Sequence, residues 1–89
     1  MLPTEGNKMK YGVICYAIHN KNIVMYDWFD DIDDAVMFLH DDAQTTYEEA
    51  KSDVGYNNVH SCVVGHYAMV SVNNGEYEWT WHIIDDSKR

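Results

Sequence analysis

Eighty-nine residues with 46% hydrophobic and 13% aromatic content describe one globular domain rather than a disordered chain. Fifteen acids against six Lys and Arg leave a net charge of -9, which argues against direct binding to nucleic acid or to an anionic membrane surface. Two cysteines, Cys15 and Cys62, are too few for a disulfide framework, and each lies in an apolar run, so two buried free thiols in a reducing cytoplasm are expected.

Residues 1–9 contain Pro3 and Gly6 and no apolar h-region, so they read as a loose leader, not a signal peptide. No stretch reaches the roughly 18 apolar residues of a membrane span. The folded domain is expected over 10–86, with a fraying tail at 87–89.

Tyr11 to Ile18 and Ile23 to Phe29 are β-rich and flank a short turn, the pattern of a hairpin. With Asn20-Lys21 at the turn centre, Val13, Cys15, Ala17, Val24, Tyr26 and Trp28 share one face. Ile14, Tyr16, Ile18, Ile23 and Met25 share the other. Both faces are apolar, so the hairpin is either covered on both sides or meets a partner with its second face.

A helix follows. Asp30 or Asp31 can cap it, and Ile32, Ala35, Val36, Leu39, Ala43, Tyr47, Ala50 and Val54 form one apolar stripe at helical spacing. Gly55 supplies a stop. Val59 to Val72 reads as a third strand region with a bend at Gly65. Asn74-Gly75 reads as the centre of a tight hairpin turn. It sets Val72 opposite Tyr77, Val70 opposite Trp79, Ala68 opposite Trp81 and His66 opposite Ile83. That face, with Trp79 and Trp81, is the expected core, and the face with Tyr67, Met69, Ser71, Glu78, Thr80 and His82 is the expected wet side. The resulting fold is α+β in the order β-β-α-β-β, a four-stranded, mainly antiparallel sheet with one long acidic helix on one face.

The charge is distributed unevenly. Asp27 to Asp53 holds ten carboxylates against Lys51 alone, while the remainder of the chain balances five acids with five bases. The acids at the helix N-terminus favour the helix dipole, by roughly 0.3–1 kcal/mol each. Glu48, Glu49 and Asp53 lie toward the other end, where the dipole opposes them. Asp30/Asp34 and Glu49/Asp53 are like-charged pairs one turn apart, which destabilise a helix. Asp34, Asp41 and Glu48 form a row at seven-residue spacing, about 10.5 Å per step, flanked by Asp42 and Glu49 and with Phe38 among them. This pattern fits a charged rim around an apolar anchor, directed at a basic protein surface. A solvated, solubilising helix face is the alternative reading of the same residues.

Other chemistry is less specific. The DDIDD run lacks the glycine and the closing glutamate of a Ca²⁺ loop. His19, His40, His60, His66 and His82 show no metal-ligand spacing, and no cofactor or metal is expected. Cys15, Cys62, His60, His66 and Asp27 form no recognisable nucleophile–base pattern, so the protein is read as a non-enzyme. The isolated glycines make no phosphate loop.

A short chain with its whole net charge on one acidic helix beside a small antiparallel sheet resembles phage-encoded anti-defence inhibitors of the anti-CRISPR and anti-restriction kind. The segment Phe29 to Leu39, FDDIDDAVMFL, carries the start of that helix. The resemblance implies DNA mimicry, with the helix blocking the nucleic-acid groove of a host nuclease or effector. Asp34, Phe38, Asp41, Asp42, Glu48 and Glu49 are the candidate contact residues. A homo-oligomeric structural or regulatory module is the alternative, a homodimer formed through Tyr26 and Trp28 of the first hairpin. A small-ligand or metal-binding domain comes third.

Overall fold

The computed structural model describes residues 10–86; the expected leader and tail lie outside these. Strands β1 (Tyr11–Ala17) and β2 (Asn22–Phe29) precede helix α1 (Ile32–Val54), a 3-10 turn at Tyr56–Asn58, and strands β3 (Val59–Val64), β4 (Tyr67–Val72) and β5 (Tyr77–Asp85). The strands form one antiparallel sheet in the order β2-β1-β5-β4-β3. The class is α+β as expected, but the sheet has five strands rather than four. The expected bend at Gly65 is a complete reversal. Gly65 takes φ +54 and is followed by His66, which has no positive φ, the pattern of a type II′ hairpin turn. His66 is therefore an exposed turn residue and does not extend the Trp face opposite Ile83.

The β4–β5 register is the expected one: Val72 pairs with Tyr77, Val70 with Trp79 and Ala68 with Trp81. The turn itself spans four residues, Asn73 to Glu76, rather than the two at its centre. Asn73 and Asn74 both adopt positive φ, and the Gly75 N–H donates to the Val72 carbonyl oxygen at 3.2 Å. Asn tolerates this left-handed backbone because its short polar side chain satisfies local groups.

The first hairpin departs further. Cys15 pairs with Met25 and Tyr16 with Ile23, which leaves Val24 as an extra residue in β2. One inserted residue reverses the facing of everything beyond it. Met25, Asp27 and Phe29 consequently share the helix side with Cys15, Val13 and Tyr11, and Tyr26 and Trp28 turn to the opposite side with Ile14 and Gly12. This corrects the expected face assignment. It also positions the Trp28 ring over Gly12, where a Cβ would approach ring carbons at 3.2 Å. Gly12 makes room for the indole, and the indole covers the bare backbone.

Helix α1 starts where Asp31 caps it, its carboxylate accepting the Asp33 N–H at 2.9 Å. It runs unbroken through Thr45-Thr46 for 23 residues and stops at Gly55, whose φ is +94 and whose N–H donates to the Lys51 carbonyl oxygen. Ala35, Leu39 and Ala43 are its fully buried positions. Two alanines flanking one leucine let the helix approach the sheet closely. Beneath it lie Val13, Cys15, Val59, Ala68, Val70, Val72 and Trp81. Trp81 is the largest fully buried side chain, at 0% exposure, so this one residue supplies much of the apolar area removed from water. Cys15 is buried as expected, whereas Cys62, on the edge strand β3, is exposed. Among the described residues no helix is long and apolar enough to cross a membrane.

Candidate docking surfaces

Two surfaces distinguish the molecule, one on the helix and one on the opposite side of the sheet. On the helix, Asp34, Asp41, Glu48 and Glu49 are exposed, and the first three share the outward line that helical spacing requires. Among the described residues Glu48 is the only helix carboxylate in an ion pair, 3.0 Å from Lys51 Nζ. The same Glu48 accepts a 2.7 Å hydrogen bond from Gln44 Nε2. Hydrogen bonding and attraction to Glu48 raise the Lys51 ammonium above its ordinary pKa. The row is thus negative over its whole length and neutralised at one point.

The other two candidate residues are placed differently. Phe38 does not stand free among the acids. It is half-buried and packs against Phe29 of β2, ring centroids 5.2 Å apart. The flipped register behind the Val24 bulge brings Phe29 there. Asp42 is half-buried as well, and its carboxylate accepts the Trp81 indole N–H at 2.8 Å. Both lie on the flank of the helix that leans toward the sheet, a tilt the helical wheel alone does not reveal. The apolar side chain that does stand on the acidic face is Met37, 61% exposed. Its position one turn before Asp41 was legible in the sequence, but a single methionine off the apolar stripe carries no distinguishing signal.

Glu49 and Asp53 rim a groove of about 390 Å³ between the C-terminal half of α1 and the β4–β5 hairpin. Its walls are apolar: Ala50, Val54, Val72, Tyr77 and Trp79. His19, from the β1–β2 turn, meets Tyr77 and Trp79 edge-on at 5.2 and 5.1 Å. Its Nδ1 accepts the Glu78 N–H at 3.0 Å, which fastens that turn to β5 and fixes the aromatic wall. An apolar trough with carboxylates at its rim suits a Lys or Arg side chain, whose stem covers apolar surface while its head meets the charge.

The second surface is the sheet face that α1 leaves uncovered. Alternation puts Tyr26 and Trp28 of β2, Ile14 and Tyr16 of β1, Glu78, Thr80, His82 and Ile84 of β5, Tyr67, Met69 and Ser71 of β4, and His60, Cys62 and Val64 of β3 on it. Tyr26 and Trp28 stack at 5.6 Å, and Tyr67 meets His82 edge-on at 5.3 Å. Thr80, paired with both Tyr16 and Met69, is only 6% exposed although no helix covers it. The expected wet side does carry the polar Ser71, Glu78, Thr80 and His82, but the β1 and β2 part of the same face is apolar. The residues proposed for self-association, Tyr26 and Trp28, lie at its β2 margin.

His60 and Cys62 share this outer face, whereas His40 belongs to the helix and donates from Nε2 to the Gly65 carbonyl oxygen at 3.0 Å. Among the described residues no group of three or more His, Cys, Asp or Glu is arranged to hold a metal ion. Comparison with family models, with curated proteins and with solved structures found no match.

Proposed function

We propose that the protein is a non-enzymatic binding module that engages a basic protein surface through the outward face of α1, in competition with nucleic acid for that surface. The observation that carries this reading is the exposed line Asp34–Asp41–Glu48, with Glu49 beside it and one counter-charge along its length. A helix shaped by stability alone would favour bases in its last turns. Met37 provides the exposed apolar contact that Phe38 does not. The groove behind Glu49 and Asp53 accepts one basic side chain of the partner. An acidic rim of this kind accelerates encounter and selects partners by charge, while the apolar contacts slow dissociation.

A nona-arginine peptide serves as the probe, titrated by fluorescence anisotropy over a salt series. Affinity should fall steeply with salt, and a duplex DNA oligonucleotide should compete by sequestering the peptide. Reversing Asp34, Asp41, Glu48 and Glu49 to Lys should abolish binding with the fold retained. Reversing Asp27 and Glu76, which lie off this face, should leave most of it. Weakening in simple proportion to the charge reversed, four sites against two, would reduce the effect to net charge and end the proposal.

A further inference from the structure

The uncovered sheet face is too apolar to be a solvent face. An antiparallel sheet with one wet side shows polar residues there, yet Ile14, Tyr16, Tyr26, Trp28, Tyr67 and Met69 occupy this one, and among the described strand positions Glu78 is its one Asp, Glu, Lys or Arg, with His60 and His82 also on it. Tyr26 is 53% exposed and Tyr67 37%. We infer that this face is the interface with a second copy of the same chain, the two sheets packing back to back with the acidic helices outward.

The area suits a second copy as the occupant, and the placement of charge permits it. Five strands about 4.8 Å apart and of some seven residues at about 3.3 Å each give a face of roughly 550 Å² in projection. Side-chain relief raises the accessible area toward the ~800 Å² per partner of a standard stable interface. Two chains of charge -9 repel each other by most routes of approach. Back to back, their helices stand roughly 30 Å apart, given sheets about 10 Å apart and helix diameters of about 10 Å. That is well beyond the screening length of about 8 Å at physiological ionic strength. The arrangement hides the neutral surface of each copy and leaves both acidic faces free, so a dimer presents two binding faces at once and can gain avidity on a repeated or paired basic target.

Sedimentation equilibrium of the intact protein tests this. At micromolar concentration the mass should be twice the 10.4 kDa of one chain. Association should tighten as salt rises, because the apolar contact is retained and the repulsion is screened. Combining Tyr26→Glu with Tyr67→Glu should weaken the dimer by at least tenfold with an unchanged far-UV spectrum, as expected when interface anchors are lost. Should that pair lose its fold, Ile84→Glu on the same face carries the same expectation. A wild-type chain that stays monomeric at high concentration overturns the inference, and so does a dimer that these substitutions leave intact. The Asp34, Asp41, Glu48 and Glu49 reversal should not dissociate the dimer, which separates this result from that of the peptide titration.

Discussion

Asp42 and Trp81 meet across the helix–sheet interface, the carboxylate accepting the indole N–H at 2.8 Å. Trp81 is fully buried, so its N–H has no water to turn to. The bond lets the chain place its largest aromatic under the helix without an orphaned donor. Asp42→Ala should therefore destabilise the fold by about 1–3 kcal/mol, read from urea denaturation. Asp42→Asn keeps an acceptor oxygen and should cost less than half as much. Neither change should alter the affinity for nona-arginine beyond the effect of one charge.

Glu49 gives the opposite pattern. It lies near the negative end of the helix dipole and one turn from Asp53. Glu49→Gln should raise stability by about 0.3 kcal/mol, while weakening peptide binding at low salt more than at high salt. Thermal melting together with anisotropy checks both signs. A loss of stability on this substitution would show that Glu49 has a structural partner.

Cys15 is raised to about 12, first by burial and then by the neighbouring Asp42 charge. Its thiolate is thus excluded from the folded state near neutrality, and iodoacetamide should label exposed Cys62 and spare Cys15 until the protein unfolds. The linkage has a definite sign. The folded pKa lies above the ordinary thiol value of 9.0, so this contribution to stability is complete below pH 9 and is lost as pH climbs from there toward about 12. The slope approaches about 1.4 kcal/mol per pH unit. Cys15→Ala should flatten the alkaline limb of the stability–pH curve relative to wild type.

Gly12 and Trp28 report on the bulge. Gly12→Ala drives a methyl against the indole at 3.2 Å, so it should cost about 1–3 kcal/mol by overpacking and change the Trp28 environment seen in near-UV circular dichroism. Gly65→Ala, at φ +54 with open space around its Cα, should cost about 1 kcal/mol through backbone strain alone. A null effect at Gly65 would argue against the reversal that separates β3 from β4.

Much of the candidate helix surface was legible because helical spacing fixes an angular order. Asp34, Asp41 and Glu48 fall on one line in any α-helix, and all three are exposed. Phe38 sits about 60° and Asp42 about 100° around from that line, and their exposure depends on how far the helix leans onto the sheet. Phe29 and Trp81 decide that, and both are remote in sequence. The β4–β5 register was legible because a local turn sets it. The β2 register was not, because Val24 differs in no composition signal from its neighbours, and the bulge shows only in the pairing of Cys15 with Met25 and Tyr16 with Ile23.

The sequence by itself determined the α+β class, the helix with its cap at Asp30 or Asp31 and its stop at Gly55, and the concentration of charge along it. These follow from interactions within a few residues of one another. Only the tertiary structure decided that the sheet has five strands, that Asp42 serves Trp81, and that Tyr26, Trp28, Tyr16 and Met69 gather on a face no helix covers. The first turns on the backbone reversal at Gly65, the second on how the helix docks on the sheet, and the third on strand register, where one residue of slip turns every side chain to the other side.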